Sequence, residues 1–369
     1  MKLDKLNQTK TPHTRGRLIL LFAILGLSLF CQKKDEKDQE ALGQFLFWQT
    51  ILAPSTSSIP ANASCLIIAN SAILGNTDST YATWSGTKSG YISAALNTSG
   101  GYVYGQDGVF DGSNWFLGEA SGIVKSTTSG AWQVVVGGLD YFYGIATSGG
   151  ITIAAGRGGL VYKSTDGETA SNISPSGISN NTLSTVAVGN GRWVIGGNLA
   201  SQAAFNSSIL YSSNNGVTWT ASTNNKAMAV VKIIYANSMF VAVGGSGIIS
   251  TSTDGITWTI RTAEDASISL LDIAYGNGKF VAVGNSSSRS YHYTSTDGIT
   301  WTIASPVFLR SVAFDSVNSK FVGVSSTSFS DSTFSRLSTS TDGTSWSGVS
   351  TSFGTTTSSN VYLGKIRCK

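Results

Sequence analysis

An all-β, seven-bladed propeller is the fold that this sequence predicts, on three observations. The string at 252–258 (STDGITW) recurs identically at 295–301 and nearly so at 340–346, with weaker copies at 126–132, 164–170 and 213–219. These copies end at 132, 170, 219, 258, 301 and 346, at spacings of 38, 49, 39, 43 and 45 residues. A period of roughly 40–50 residues in a β-rich chain marks a propeller or a β-solenoid. Composition supplies the second observation: 42 Gly, 5 Pro, 9 Trp, 13 Tyr and 16 Phe with only 12% charged residues, against ~25% in an ordinary domain. Thirdly, strand-like sequence at both ends of the repeat array is left over to complete a further blade.

The chain begins with Lys2, Lys5, Lys10, Arg15 and Arg17 against Asp4 alone, followed by an uncharged run at 18–30, LILLFAILGLSLF. A basic stretch and then a 13-residue apolar one is the order of an export signal, and it is short of the ~20 residues that span a bilayer. Cys31 follows at once, then Gln32, Lys33, Lys34 and Asp35. This order resembles the lipobox and hydrophilic tether of bacterial lipoproteins, those of spirochaetes included. The resemblance implies that Cys31 is lipidated, and that multiple acyl chains hold the mature protein at the cell envelope, on the outer membrane or cell surface, more firmly than the marginal binding of a single chain. The expected organisation is a signal peptide at 1–30, a lipid-anchored tether at 31–60 and the propeller at 61–369. Within the tether, Phe45, Leu46, Phe47, Trp48, Ile51 and Leu52 form a short element packed on the domain. The leader accounts for the whole formal charge of +4, so no basic face is left for nucleic acid. With 2 His in the chain a multi-histidine metal site is excluded.

Each repeat has a second signature about 20 residues before the STDG string: IAYGNGKFVAVGN at 273–285, IIYANSMFVAVGG at 233–245, VAVGNGRWVIGGN at 186–198 and VAFDSVNSKFVGV at 312–324. These are two buried strands joined by a tight turn with Gly or Asn at its positive-φ positions. A blade is therefore strand A, a GNGK-type turn, strand B, a loop, strand C, the STDG turn and strand D. In the STDG turn, Asp accepts backbone N–H bonds, Gly permits the geometry and Trp shields the hairpin. It resembles the Asp-box of bacterial-neuraminidase-repeat propellers, which include sialidases, sortilin-like domains and photosystem assembly factors of the Ycf48 type, in a variant one residue shorter between Asp and Trp. The resemblance implies a structural role, on the face away from the ligand, for Asp166, Asp254, Trp258, Asp297, Trp301, Asp342 and Trp346. A single carboxylate per turn does not make a Ca²⁺ site, which takes six to eight oxygens.

Six units run from residue 101 past 346. The C-terminal 361–368 (VYLGKIRC) matches strand A, while CLIIAN, SAIL and the Thr77–Trp84 region match strands B, C and D. Together they make a split seventh blade that closes the ring and leaves no exposed edges; six and eight blades are the alternatives. With Cys31 taken by lipid, two thiols remain in an exported chain. Strand A of the closing blade ends at Cys368 and strand B begins at Cys65, so a Cys65–Cys368 disulfide is expected in place of the GNGK turn.

The D–A and B–C loops share one face, where propeller sites usually lie. The candidate ligand-binding residues there are Glu119, Asp140, Tyr141, Arg157, Arg261, Glu264, Asp265, Arg289 and Arg310, with the four arginines able to converge on an anionic group. His292 sits at the start of a C strand and reads as a packed or exposed strand residue, not as a base. No Ser-His-Asp order, phosphate loop or CxxC is present, and no catalytic residue, cofactor or metal is assigned. The expected function is a noncatalytic, monomeric, membrane-tethered platform for a protein or glycan ligand. The alternative is an extracellular carbohydrate-active hydrolase of sialidase-like fold, which requires paired carboxylates.

Overall fold

The computed structural model describes residues 63–69, 73–76, 83–87, 107–119, 122–126, 132–137, 141–179, 181–198, 208–223, 229–262, 268–286, 290–304, 307–325, 337–349, 352–353 and 363–369. The chain divides into two compact units, Met1–Pro54 and Ser55–Lys369; the first lies outside the described residues, and so do the expected signal, Cys31 and the whole of the expected tether. Among the described residues no helix is long and apolar enough to cross a membrane.

Seven antiparallel sheets follow one another along the second unit. Their inner strands are Asp107–Phe110, Phe142–Ser148, Thr182–Gly189, Val230–Ala236, Ser269–Gly276, Ser311–Asp315 and Leu363–Cys368, the last belonging to the sheet completed by Cys65–Ala69, Ile73–Asn76 and Thr83–Thr87. Each inner strand contacts the next, and Leu363–Cys368 contacts both Ser311–Asp315 and Asp107–Phe110, so the ring is closed. The fold is a seven-bladed propeller with a split seventh blade. An unforeseen pair of residues, Ser352–Phe353, adds in parallel to the outer edge of that blade, beside Thr83 and Trp84.

Local chemistry sets the turns. Asn190-Gly191, Asn237-Ser238 and Asn277-Gly278 all have positive φ at both positions, the two-residue hairpin geometry that matches strand twist. At 252–258, Ser252 Oγ donates to Asp254 Oδ1 at 2.8 Å and accepts from the Gly255 N–H at 2.8 Å, while Asp254 Oδ1 accepts from Ile256 N at 2.8 Å and Thr257 N at 2.9 Å. The same four bonds recur around Asp166, Asp297 and Asp342. Asn214 replaces the carboxylate in the third blade and still accepts from Thr218 N.

These turns also wedge the blades together. Gly255 has φ 71°, and a Cβ there would stand 3.0 Å from Val194 of the preceding blade; at Gly343 the corresponding distance, to Val281, is 2.5 Å. The tryptophans differ. Trp258 is 1% exposed, its Nε1 donates to the Gly255 carbonyl, and the segment around Thr223 covers it by bonding Ile256 and Trp258. Trp301 and Trp346 are half-buried. Outer strands begin one residue after the tryptophan, at Thr220, Thr259, Thr302 and Ser347, whereas Trp132 opens its strand.

The expected disulfide is present. Cys65 pairs with Cys368 in register and the bond joins them with a Cα separation of 4.0 Å. Lys369 N–H donates to the Ser64 carbonyl, so 64/369 is the hydrogen-bonded pair and 65/368 the close, non-hydrogen-bonded one, where antiparallel Cα atoms approach most nearly. Buried Asp315 accepts from Ser64 Oγ at 2.5 Å and from the Val317 N–H at 2.9 Å, tying the sixth blade's inner turn to the clasp.

Candidate functional site

The residue four places before the inner turn is equivalent in every blade. In ring order it is Asp107, Gly144, Thr185, Lys232, Asp272, Ser311 and Lys365, paired with Gly118, Ala155, Gly196, Val243, Val283, Val324 and Ile68. In five blades the register shifts just before it, with Tyr143, Ser184, Val231, Leu271 and Gly364 as the extra residues. A bulge of this kind re-aims the side chain that follows. Gly144 is required in the second blade, because a Cβ would lie 2.4 Å from the Thr185 backbone.

Charges from four blades meet at this level. Lys232 Nζ lies 2.5 Å from Asp107 Oδ2, Arg367 Nε 2.5 Å from Asp107 Oδ1, and Arg367 Nη1 2.8 Å from Asp272 Oδ2. Ser311 Oγ also donates to Asp272, and Lys365 Nζ donates to the Leu271 carbonyl at 3.1 Å while standing 3.9 Å from Asp272. Asp107 is 1% exposed and Asp272 0%, and charges so buried must be paired. Burial pushes both carboxyls up, but Arg367, with Lys232 at Asp107 and with Lys365 at Asp272, more than offsets it and holds both below the usual carboxylate range. Burial draws Lys232 and Lys365 down, whereas for Arg367 the two carboxylates outweigh burial and raise it.

Two residues further along each inner strand the side chains turn small and apolar: Val109, Ala146, Ala187, Ile234, Ala274 and Ala313, with Arg367 as the seventh member. They surround a cavity of about 360 Å³. Its walls are 108–110, 145–147, 186–188, 233–235, 273–274, 312–314 and 367–369, with Lys232 at its floor. All of these except Lys232 lie on the turn side of the charged ring. The cavity therefore opens toward the inner turns, the face opposite the loops on which the sequence places the ligand.

The loop residues lie elsewhere. Glu119 ends the second strand of the first blade and is buried. Tyr141 precedes the second blade's inner strand, stacks on Tyr143 at 6.0 Å, and accepts a backbone bond from Arg157 at 2.8 Å. Arg261 is on the outer strand of the fourth blade, its Nε donating to Thr251, and Arg310 precedes the inner strand of the sixth. Tyr141 and Arg157 are thus neighbours, while Arg261 and Arg310 occupy different blades and radii. Asp140, Glu264, Asp265 and Arg289 lie outside the described residues. His292 is buried, its ring edge-on to Trp346 at 6.3 Å. Cys65, Cys368 and Asp315 gather within 4.8 Å, but both sulfurs are bonded to each other.

Fold and site together define a ring-closed propeller whose axis is crossed by an ion network below an apolar cavity. No protein-family model and no curated protein matches the chain. Among solved structures, one described as "YCF48 bound to D1 peptide" aligns with a TM-score of 0.47 and 19% identity, covering 63% of this chain and 77% of that chain.

Proposed function

We propose that this is a noncatalytic binding platform, lipid-anchored through Cys31 at the cell envelope, with a signal peptide at 1–30, a tether at 31–60 and turns of the Asp-box type as structural staples. The observation that carries the noncatalytic reading is the state of the channel carboxylates. A glycoside hydrolase needs one carboxyl kept protonated near neutral pH beside a second that is free to act. Asp107 and Asp272 are instead both held ionised by Arg367 and its lysine neighbours. Export is supported independently by the Cys65–Cys368 bond, which suits an oxidising compartment.

Two assays test this. Palmitate fed to cells is expected to label the wild type and to spare Cys31→Ala; equal labelling of both removes the anchor. Fluorogenic glycosides, a sialoside among them, are expected to remain intact, and turnover that disappears in Asp272→Asn would establish the hydrolase instead.

A further inference from the structure

We propose that the cavity on the inner-turn face binds a small amphiphilic carboxylate, an apolar body with one anionic head, seated head-first on Lys232 in the positive field of Arg367. This rests on the platform reading and extends it to a ligand class. Space is the first argument. At the layer above the charged ring four of seven equivalent positions are alanine, where Val109 and Ile234 show that larger side chains are accommodated. The alanines leave about 360 Å³, within the ~300–1,000 Å³ of small-molecule sites.

Charge is the second. The cavity is lined by Lys232, Arg367 and Lys369 and by no Asp or Glu; the carboxylates of Asp107 and Asp272 sit behind the cations. At this level of the axis the three cations Lys232, Lys365 and Arg367 face two carboxylates. Lys232 has Asp107 as its one hydrogen-bond partner among the described residues, and an ammonium has three donors, so its remaining protons are available to an anion in the cavity. The walls are apolar, with Phe110, Ile145, Val186, Tyr235 and Phe314 among them.

Decanoate is the probe, titrated calorimetrically into the mature protein at pH 7. One saturable site per chain is expected, with decanol at least tenfold weaker and decyltrimethylammonium not bound. Thr147→Trp, which adds bulk at the cavity wall without touching the ion network, gives up the bonds of Thr147 Oγ1 with Ile151 and Thr152 inside its own hairpin and is expected to lower decanoate affinity more than tenfold while the protein still unfolds cooperatively. Lys232→Gln is expected to lower the affinity likewise, but with a lowered midpoint because it takes a partner from buried Asp107, and if that variant fails to fold, Thr147→Trp decides alone. Equal binding of decanoate and decyltrimethylammonium, no saturable site, or affinity unchanged in Thr147→Trp overturns the proposal. The glycoside assay judges the platform reading separately, so either can fail without the other.

Discussion

At the residue scale, the aspartates of the Ser-x-Asp-Gly turns are ionised acceptors whose backbone partners fix their acidity. The N–H groups of Thr300 and Ile299 hold Asp297 down to about 2, and those of Ser345 and Thr344 hold Asp342 to about 2, against an ordinary value of 3.8. A carboxyl with a lower pKa folded than unfolded stabilises the fold above the unfolded value, and that stabilisation is lost as pH falls through the folded one. The thermal midpoint is therefore expected to drop between pH 4 and pH 2, with the buried Asp107 and Asp272 adding in the same direction. Asn214 shows that an amide fills the same place. Asp297→Asn is thus expected to fold and to flatten part of the pH dependence, measured by calorimetry across that range; a variant as acid-sensitive as wild type would contradict this. These turns were legible in the sequence because their bonds join residues two and three apart. Asp107, Lys232, Asp272, Lys365 and Arg367 were not, since each pairs with a residue at least 94 positions away. The available signal was a lone charge inside an apolar inner strand, as in VVKIIYA and SLLDIAYG, because a charge buried there demands a partner.

At the element scale, blade and tryptophan do not repeat with equal weight. Trp258 belongs to a buried cluster that joins its own blade to the preceding one, Val194 and Ile209 among its members, and is covered by the segment at Thr223, whereas Trp301 keeps solvent contact. Trp258→Ala is expected to cost about 3–5 kcal/mol and Trp301→Ala distinctly less, as measured by denaturant unfolding; equal losses would show that the covering segment is irrelevant. The four-strand order and the split seventh blade followed from period and leftover sequence. The inner-strand bulges did not, because an extra residue such as Val231 or Leu271 leaves no compositional mark in an apolar run. They decide which side chains enter the channel, which is why the cavity on the inner-turn face was not legible in the sequence.

At the scale of the whole molecule, one strand carries both the covalent and the electrostatic closure. Leu363–Cys368 ends in the disulfide partner of Cys65, 303 residues away, and its Arg367 is the side chain that grips both Asp107 and Asp272. By loop-closure entropy such a crosslink contributes somewhat more than the ~4.7 kcal/mol estimated for 100 residues. Replacing both cysteines by serine is therefore expected to lower the unfolding midpoint substantially. Arg367→Met leaves two buried carboxylates short of their common partner, a change that costs about 3–5 kcal/mol when a buried pair is broken. The two lesions act through the same strand. Once the clasp is gone, the strand can leave the ring locally, and part of what Arg367 contributes is lost already. The combined variant is therefore expected to be less destabilised than the sum of the separate losses, by more than the ~0.5 kcal/mol within which independent sites add. Urea unfolding of the four proteins in the cycle measures this coupling, and strict additivity would mean that the C-terminal strand stays seated without its disulfide.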